Sequence, residues 1–393
     1  KEKESESERE EKEKKGSLGP RRTLPPFGRA RAGPNGAMET PVSIIQWALD
    51  TRPLWPSATE TRDLKQAASR EFNLLNDKET EQIQRFHFVK DAKLALASAL
   101  LKRLAISRLA NVSWTEASSW KRDVRTGKPI FDMPRSSSPS SSVKKNKKKK
   151  REGIKFNVSH QAGVVVLVAS SLVAQDDDDD DDDDDQVGEE EEEEEEDEKK
   201  LDVGIDVVCQ GERREKDLTS IAAEGWSRYV AVHEDVFSPH EAAALRSREG
   251  DDDDSRLAYF YTLWCLREAY IKMTGDALLA PWLKDLEMRH FAPPPPSSSL
   301  SDQHHHHHHH HHQQNSTSHD PRLEIWFRGR RVEDVCMRLS SLLEDEYVVC
   351  TAVRCPPRLR ACVESQLALP FTHLVLDDMV TEAEEADRRG QLA

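Results

Sequence analysis

Between Asp176 and Glu198 the chain carries 20 acidic residues in 23 positions. No packing of helices or strands can bury such a run, because each unpaired carboxylate taken out of water costs more than the packing returns. The run therefore divides the chain, and residues 174–199 are expected to be a solvated insertion between folded parts. It also holds the chain's acidity: the net charge is −16, and without those 20 residues it becomes about +4. Three further tracts cannot offset the entropy lost on folding. Residues 1–37 alternate Lys and Glu before turning to Arg, Pro and Gly, and are expected to be disordered; residues 136–151 are rich in Ser and Lys; residues 293–320 are rich in Pro and Ser and contain nine consecutive histidines, His304–His312. What remains is two stretches, 42–170 (interrupted at 136–151) and 200–380 (interrupted at 293–320), each of ordinary domain size.

Within these stretches the patterns are those of packed structure. Leu96, Ala97, Leu100, Leu101 and Leu104 share one stripe of a helix over Asp91–Leu104. The β-branched run Gly163–Ser170 and the segment Leu201–Val208 read as buried strands. Ser238, Pro239 and Glu241 spell a capped helix start, and Gly275 ends a helix expected over Leu257–Met273. Further strands are expected at Leu323–Phe327, Tyr347–Val353 and Thr372–Leu376, so the fold class is α+β, in two lobes on either side of the acidic run. No stretch of 18 apolar residues and no signal-peptide core is present, which points away from a membrane and toward the cytosol or nucleus, with a cytoplasmic location expected. The six cysteines form no CxxC pair, which argues against a structural zinc site and for reduced thiols.

Three places put polar groups into an apolar setting. Phe156-Asn157-Val158-Ser159-His160 reads as a polar turn feeding the valine strand, with an ordinary hairpin turn as the plain alternative. Asp206 sits in Val203-Gly204-Ile205-Asp206-Val207-Val208, where a carboxylate is costly unless paired, protonated or metal-bound, with a strand-end Asp that caps a turn as the plain alternative. Trp264, Glu268 and Lys272 are spaced by four, so they line one stripe of a helix; a surface ion pair is the plain alternative there. Together, Asp206 and Glu268 are two hard oxygen ligands suited to Mg²⁺, which takes one or two carboxylates and fills its shell with water and phosphate. Arg122, Arg125, Lys128 and Lys155 supply charge for a phosphorylated ligand.

In this order and with these residues, the chain resembles the 4′-phosphopantetheinyl transferases of the large, monomeric, two-lobed group found in fungi and animals. The hallmarks are FNxSH at Phe156–His160, GID at Gly204-Ile205-Asp206, and W-x-x-(K/R)-E-A-x-x-K at Trp264–Lys272. The likeness extends to the opening Trp47–Trp55, the Arg85–Asp91 entry to the leucine helix, and Gly127-Lys128-Pro129.

The resemblance implies a pseudo-dimeric fold with the active site at the lobe interface. It implies transfer of 4′-phosphopantetheine from coenzyme A to a serine of acyl, peptidyl or aminoadipate-reductase carrier domains, releasing adenosine 3′,5′-bisphosphate. Asp206 and Glu268 would hold Mg²⁺ on the diphosphate, water standing where bacterial relatives have a second acid and this chain has Val208. Glu268 would act as base and Lys272 would stabilise the leaving group. Ser159 and His160 would bind coenzyme A at its 3′-phosphate and adenosine end, with Asn157 shaping the turn. Gly127 and Lys128 would lie beside the nucleotide, Arg122 or Arg125 nearby, and Arg85 would replace the usual arginine at the position of Gln82. The competing class is a non-enzymatic binding protein whose acidic run engages histones or other basic partners, or whose lysines at Lys144–Lys150 contact nucleic acid. No nucleic-acid-binding motif accompanies those charges, so neither nucleic acid nor membrane is expected as a partner.

Overall fold

The computed structural model describes residues 42–124, 126–133, 153–172, 201–276, 280–294 and 323–391. Expectations for residues 1–37, 136–151, 174–199 and Arg125 lie outside the described residues, as do the histidine run and most of 293–320. Among the described residues there are ten α-helices: α1 Thr61–Ala67, α2 Ser69–Phe72, α3 Asp77–Gln84, α4 Val89–Ala110, α5 Gln210–Glu224, α6 Trp226–Val232, α7 Pro239–Arg246, α8 Asp253–Thr274, α9 Arg360–Leu367 and α10 Leu376–Gln391. The strands are β1 Val42–Asp50, β2 Lys121–Arg122, β3 Pro129–Phe131, β4 Ile154–Gln161, β5 Val164–Leu172, β6 Asp202–Cys209, β7 Leu286–Arg289, β8 Glu324–Phe327, β9 Arg330–Arg331, β10 Val335–Leu342, β11 Tyr347–Arg354 and β12 Thr372–His373. Helices and strands are mixed throughout, as an α+β chain requires.

The strands form a six-stranded sheet in the order β12-β1-β5-β4-β3-β2 and two three-stranded sheets, β10-β11-β6 and β7-β8-β9. The β10-β11-β6 sheet is buried on both faces, and strand alternation assigns its side chains. Tyr347, Val349 and Val353 of β11 pack with Val42, Ile44, Val164, Val166 and Val168 of the large sheet. Val348, Cys350 and Ala352 pack against α8 through Leu263, Leu266, Ala269 and Tyr270.

The Phe156–His160 segment is not a turn. It is the body of β4, paired antiparallel with β5 from Lys155↔Ser170 to Gln161↔Val164. The turn lies beyond it at Ala162 and Gly163, both with positive φ, and the Gly163 carbonyl accepts from the backbone N–H and the hydroxyl of Thr51 at 2.7 Å each. The polar residues of β4 are used across a seam to β6. Asn157 Oδ1 accepts from Ile205 N at 3.2 Å, and Gln161 Oε1 from Cys209 N at 3.0 Å, so side-chain amides stand in for a backbone ladder between the two sheets.

Two boundaries also shift. α8 begins four residues before the expected start, because Asp252 caps it, accepting from Ser255 N at 2.9 Å, and Asp253 and Asp254 sit favourably in its first turn. The strand expected over Thr372–Leu376 is only two residues long, parallel to Trp47-Ala48 of β1, and the chain then enters α10, whose Leu376, Met379, Val380, Ala383 and Ala386 are buried. α10 clasps the helices beside the large sheet through Arg108–Glu382 and Arg70–Glu384.

Candidate active site

The site is built where β4, β6 and α8 meet. On β6, Val203, Ile205, Val207 and Cys209 face the large sheet, so Gly204, Asp206 and Val208 face α8. Gly204 allows the close approach: a Cβ there would fall 2.8 Å from Met273 Cα and closer still to the Ala269 carbonyl. Asp206, two residues on and only 6% exposed, is thereby laid against the helix face bearing Trp264, Glu268 and Lys272. Lys272 Nζ lies 2.6 Å from Asp206 Oδ1 and donates to Ser159 Oγ at 2.9 Å, while the Ser159 hydroxyl donates to the same Asp206 oxygen at 2.9 Å.

Glu268 is different. It is half-buried and makes no hydrogen bond or ion pair with any described residue. Burial pushes its carboxyl above the ordinary range, the negative charge of Asp206 pushes it further, and Lys272 only partly offsets the two. His160 stands at the rim, its ring held below its ordinary value by desolvation first and by the Lys272 charge second.

These residues line one cavity of about 340 Å³, which brings together Ser159, His160, Asp206, Glu268 and Lys272. Its far wall was not legible in the sequence: Arg213 and Asp217 from α5, Tyr229 and His233 at α6, and Phe260 and Tyr261 from α8. Asp217 accepts from the Tyr261 hydroxyl at 2.7 Å and lies 3.5 Å from Arg213. The available signals were the i,i+4 spacing of Arg213 and Asp217 and the position of Tyr261 one turn before Trp264.

Other expected residues lie elsewhere. Lys128 lines a separate pocket of about 80 Å³ with Lys155 and Asp202; its Nζ is 2.7 Å from Asp202 Oδ1 and donates to the Met273 carbonyl at 2.6 Å. Gly127 occupies a turn at φ +66°, and Arg122, exposed, donates to its carbonyl at 2.8 Å. Arg85 is exposed and 3.6 Å from Glu81. Asn157 is committed to Ile205.

Two carboxylates crowded in a partly desolvated cavity, one without any donor, suit a hard divalent cation, and the open cavity leaves its other positions to water or to phosphate oxygens. No cluster of three or more acidic, histidine or cysteine ligands exists among the described residues, so the protein's share of such a shell is the pair. Fold and site together define an α+β protein whose cavity sets two carboxylates beside a lysine.

Comparison with known proteins narrows the class. Residues 62–172 match the family described as 4′-phosphopantetheinyl transferase, N-terminal, and residues 202–326 match the 4′-phosphopantetheinyl transferase superfamily. The chain is 43% identical over 316 residues to 4′-phosphopantetheinyl transferase 1 of Fusarium mangiferae, covering 79% of this chain and 87% of that protein. It is 30% identical over 383 residues to a 4′-phosphopantetheinyl transferase of Aureobasidium melanogenum, covering 86% and 97%. It is 24% identical over 245 residues to the L-aminoadipate-semialdehyde dehydrogenase-phosphopantetheinyl transferase of Schizosaccharomyces pombe, covering 60% and 69%. The chain is a transferase and belongs to the 4′-phosphopantetheinyl transferase superfamily.

Proposed function

We propose that this enzyme moves 4′-phosphopantetheine from coenzyme A to a serine hydroxyl of a carrier domain, with Mg²⁺ held by Asp206 and Glu268. The observation that carries this reading is the convergence of Ser159, Asp206, Glu268 and Lys272 on one cavity in a member of this superfamily. The metal would neutralise charge on the diphosphate and orient it. The carrier serine oxygen attacks the phosphorus that bears pantetheine, the bond from that phosphorus to the oxygen bridging it to the second phosphorus breaks, and adenosine 3′,5′-bisphosphate leaves. Glu268 takes the serine proton directly or through a water, a task favoured by its raised carboxyl pKa. Lys272, which donates to both Asp206 and Ser159, would donate a hydrogen bond to the departing oxygen as negative charge builds on it. His160 and Ser159 contribute to coenzyme A binding at the rim.

The cavity takes β4 from the stretch 42–170 and β6 and α8 from the stretch 200–380, which supports placing the active site between two lobes. The name of the fission-yeast relative supports aminoadipate-reductase carriers among the acceptors, beside acyl and peptidyl carriers. The test is incubation with coenzyme A, Mg²⁺ and an apo carrier domain, followed by mass spectrometry. A phosphopantetheine adduct on the carrier serine is expected; an unmodified carrier across acyl, peptidyl and aminoadipate-reductase domains would defeat the reading.

A further inference from the structure

β4, β6 and α8 meet at two levels. At the cavity, Ser159 of β4, Asp206 of β6 and Lys272 of α8 form one bonded triangle. Four residues earlier on each strand, about 13 Å along the sheet, the same three elements meet again outside the cavity. Asp202 of β6 pairs with Lys155 of β4 at 3.3 Å. Lys128, from the loop between β2 and β3, lies 2.7 Å from Asp202 Oδ1 and donates to the Met273 carbonyl of α8 at 2.6 Å. Residues four apart on a strand share a face, so Asp202 lies on the α8 side of β6 as Asp206 does. On a helix, side chains tilt toward the N-terminus while carbonyls point toward the C-terminus. Lys272 therefore reaches up to Asp206, and the carbonyl of its neighbour Met273 stays at the lower level.

That carbonyl is among the last four of the helix, which have no intrahelical donor, and a cation there also meets the negative end of the helix dipole. The loop bearing Lys128 is fitted to this end: a Cβ on Gly275 would lie 2.9 Å from the Thr126 carbonyl and 3.2 Å from Lys128 Cγ. The Lys128 side chain is only 12% exposed, and both groups that hold its ammonium belong to the protein. Helix ends fray when their last carbonyls lose their partners, and Lys272 sits in that last turn. We propose that Lys128 is a positioning residue: by tying Asp202 to the last turn of α8 it fixes the register of β6 against α8, and so the seat of Lys272 between Asp206 and Ser159. The inference rests on the transfer reading above, and gives Lys128 this role in place of one beside the nucleotide.

The experiment measures kcat and KM for coenzyme A with an apo carrier domain, and the melting temperature, for the wild type, Lys128→Met, Lys128→Gln, Lys128→Arg and Asp202→Asn. Lys128→Met leaves Asp202 paired with Lys155 and should fold. Its kcat is expected to fall about tenfold with KM for coenzyme A held within about twofold, since a small misplacement of reacting groups is enough. Lys128→Arg, which keeps the charge and its donors, should restore most of kcat. Asp202→Asn should also lower kcat, because it cuts the tie from the other side; a Lys128 that touched the anionic donor itself would be freed by that change, and kcat would hold or rise. A roughly tenfold rise in KM with unchanged kcat in Lys128→Met assigns the residue to the donor and overturns the proposal. A lower melting temperature with kcat and KM both unchanged also overturns it, leaving only a helix cap. An Asp202→Asn enzyme as fast as the wild type does the same. If Lys128→Met does not fold, Lys128→Gln is read by these criteria. A wild type that transfers nothing removes the transfer reading and this proposal with it.

Discussion

Two glutamates lie against α8 in opposite circumstances. Glu241, 1% exposed, closes the capping box of α7, accepting from Ser238 N at 2.9 Å, and it also accepts from Met288 N at 2.8 Å and pairs with Arg267 at 2.6 Å. Burial pushes its carboxyl pKa up, but Arg267 and the backbone donors pull back against that cost. Glu268 is the very next residue after Arg267, and it has none of these partners. The two neighbours point to different sides because consecutive residues on a helix are about 100° apart. Arg267, although part of the W-x-x-R-E stretch, is bonded to Glu241 and to the carbonyls of Leu283 and Leu286, away from the cavity. A carboxylate whose donors are all in place holds the fold; one that is buried, repelled and left without donors is open to a ligand, the role proposed for Glu268.

This contrast can be broken at several points. The largest effect on folding is expected from Glu241→Ala, which strands Arg267 as a buried charge and should cost about 3–5 kcal/mol, read as a loss of denaturant midpoint; a shift of a few tenths would show that the pair is not structural. Glu268→Gln should leave the fold intact while lowering turnover on a carrier domain by roughly a hundredfold or more, and near-normal turnover would dissociate this residue from the chemistry. Gly204→Ala forces β6 and α8 apart and is expected to cost about 1–3 kcal/mol together with activity, whereas Gly211→Ala, with open space around it, should cost neither.

The smallest effect is one of pH. The Glu268 carboxyl is raised from 4.5, so the folded protein holds its proton more tightly than the unfolded chain does. Its contribution to stability is therefore present in acid and is lost as pH rises through the folded pKa. In metal-free buffer Glu268→Gln should match the wild type below about pH 4.5 and become the more stable protein as pH increases. Added Mg²⁺ should raise the melting temperature of the wild type more than that of Glu268→Gln. Equal metal responses would detach Glu268 from the proposed metal.

Much of the architecture was readable from residue pattern. The leucine stripe became α4, the valine run β5, the Ser238–Glu241 box the start of α7, and Gly275 the left-handed end of α8. The failures have physical causes. The polar Phe156–His160 segment looked like a turn because the partners of its Asn157 and Ser159, Ile205 and Asp206, are about 50 residues away and cannot be seen locally. The start of α8 was expected at Leu257 because apolar periodicity begins there, while the acids before it fit a helix cap or a loop equally well. α10 was missed because its apolar stripe is diluted by charge and is completed only by packing against α4.

What the chain itself determined is local: which segments bury a face, where helices start and stop, and which residues carry oxygen ligands and positive charge. Hydrophobic period and capping act over a few residues, so they are written in order along the sequence. Only the tertiary structure decided that Lys272 would span Asp206 and Ser159, that Lys128 would be drawn to Asp202 instead of the cavity, and that Glu268 would be left without a donor. Those outcomes depend on how closely β6 can approach α8 and on which charges share a desolvated space, and distances between segments far apart in the chain set both.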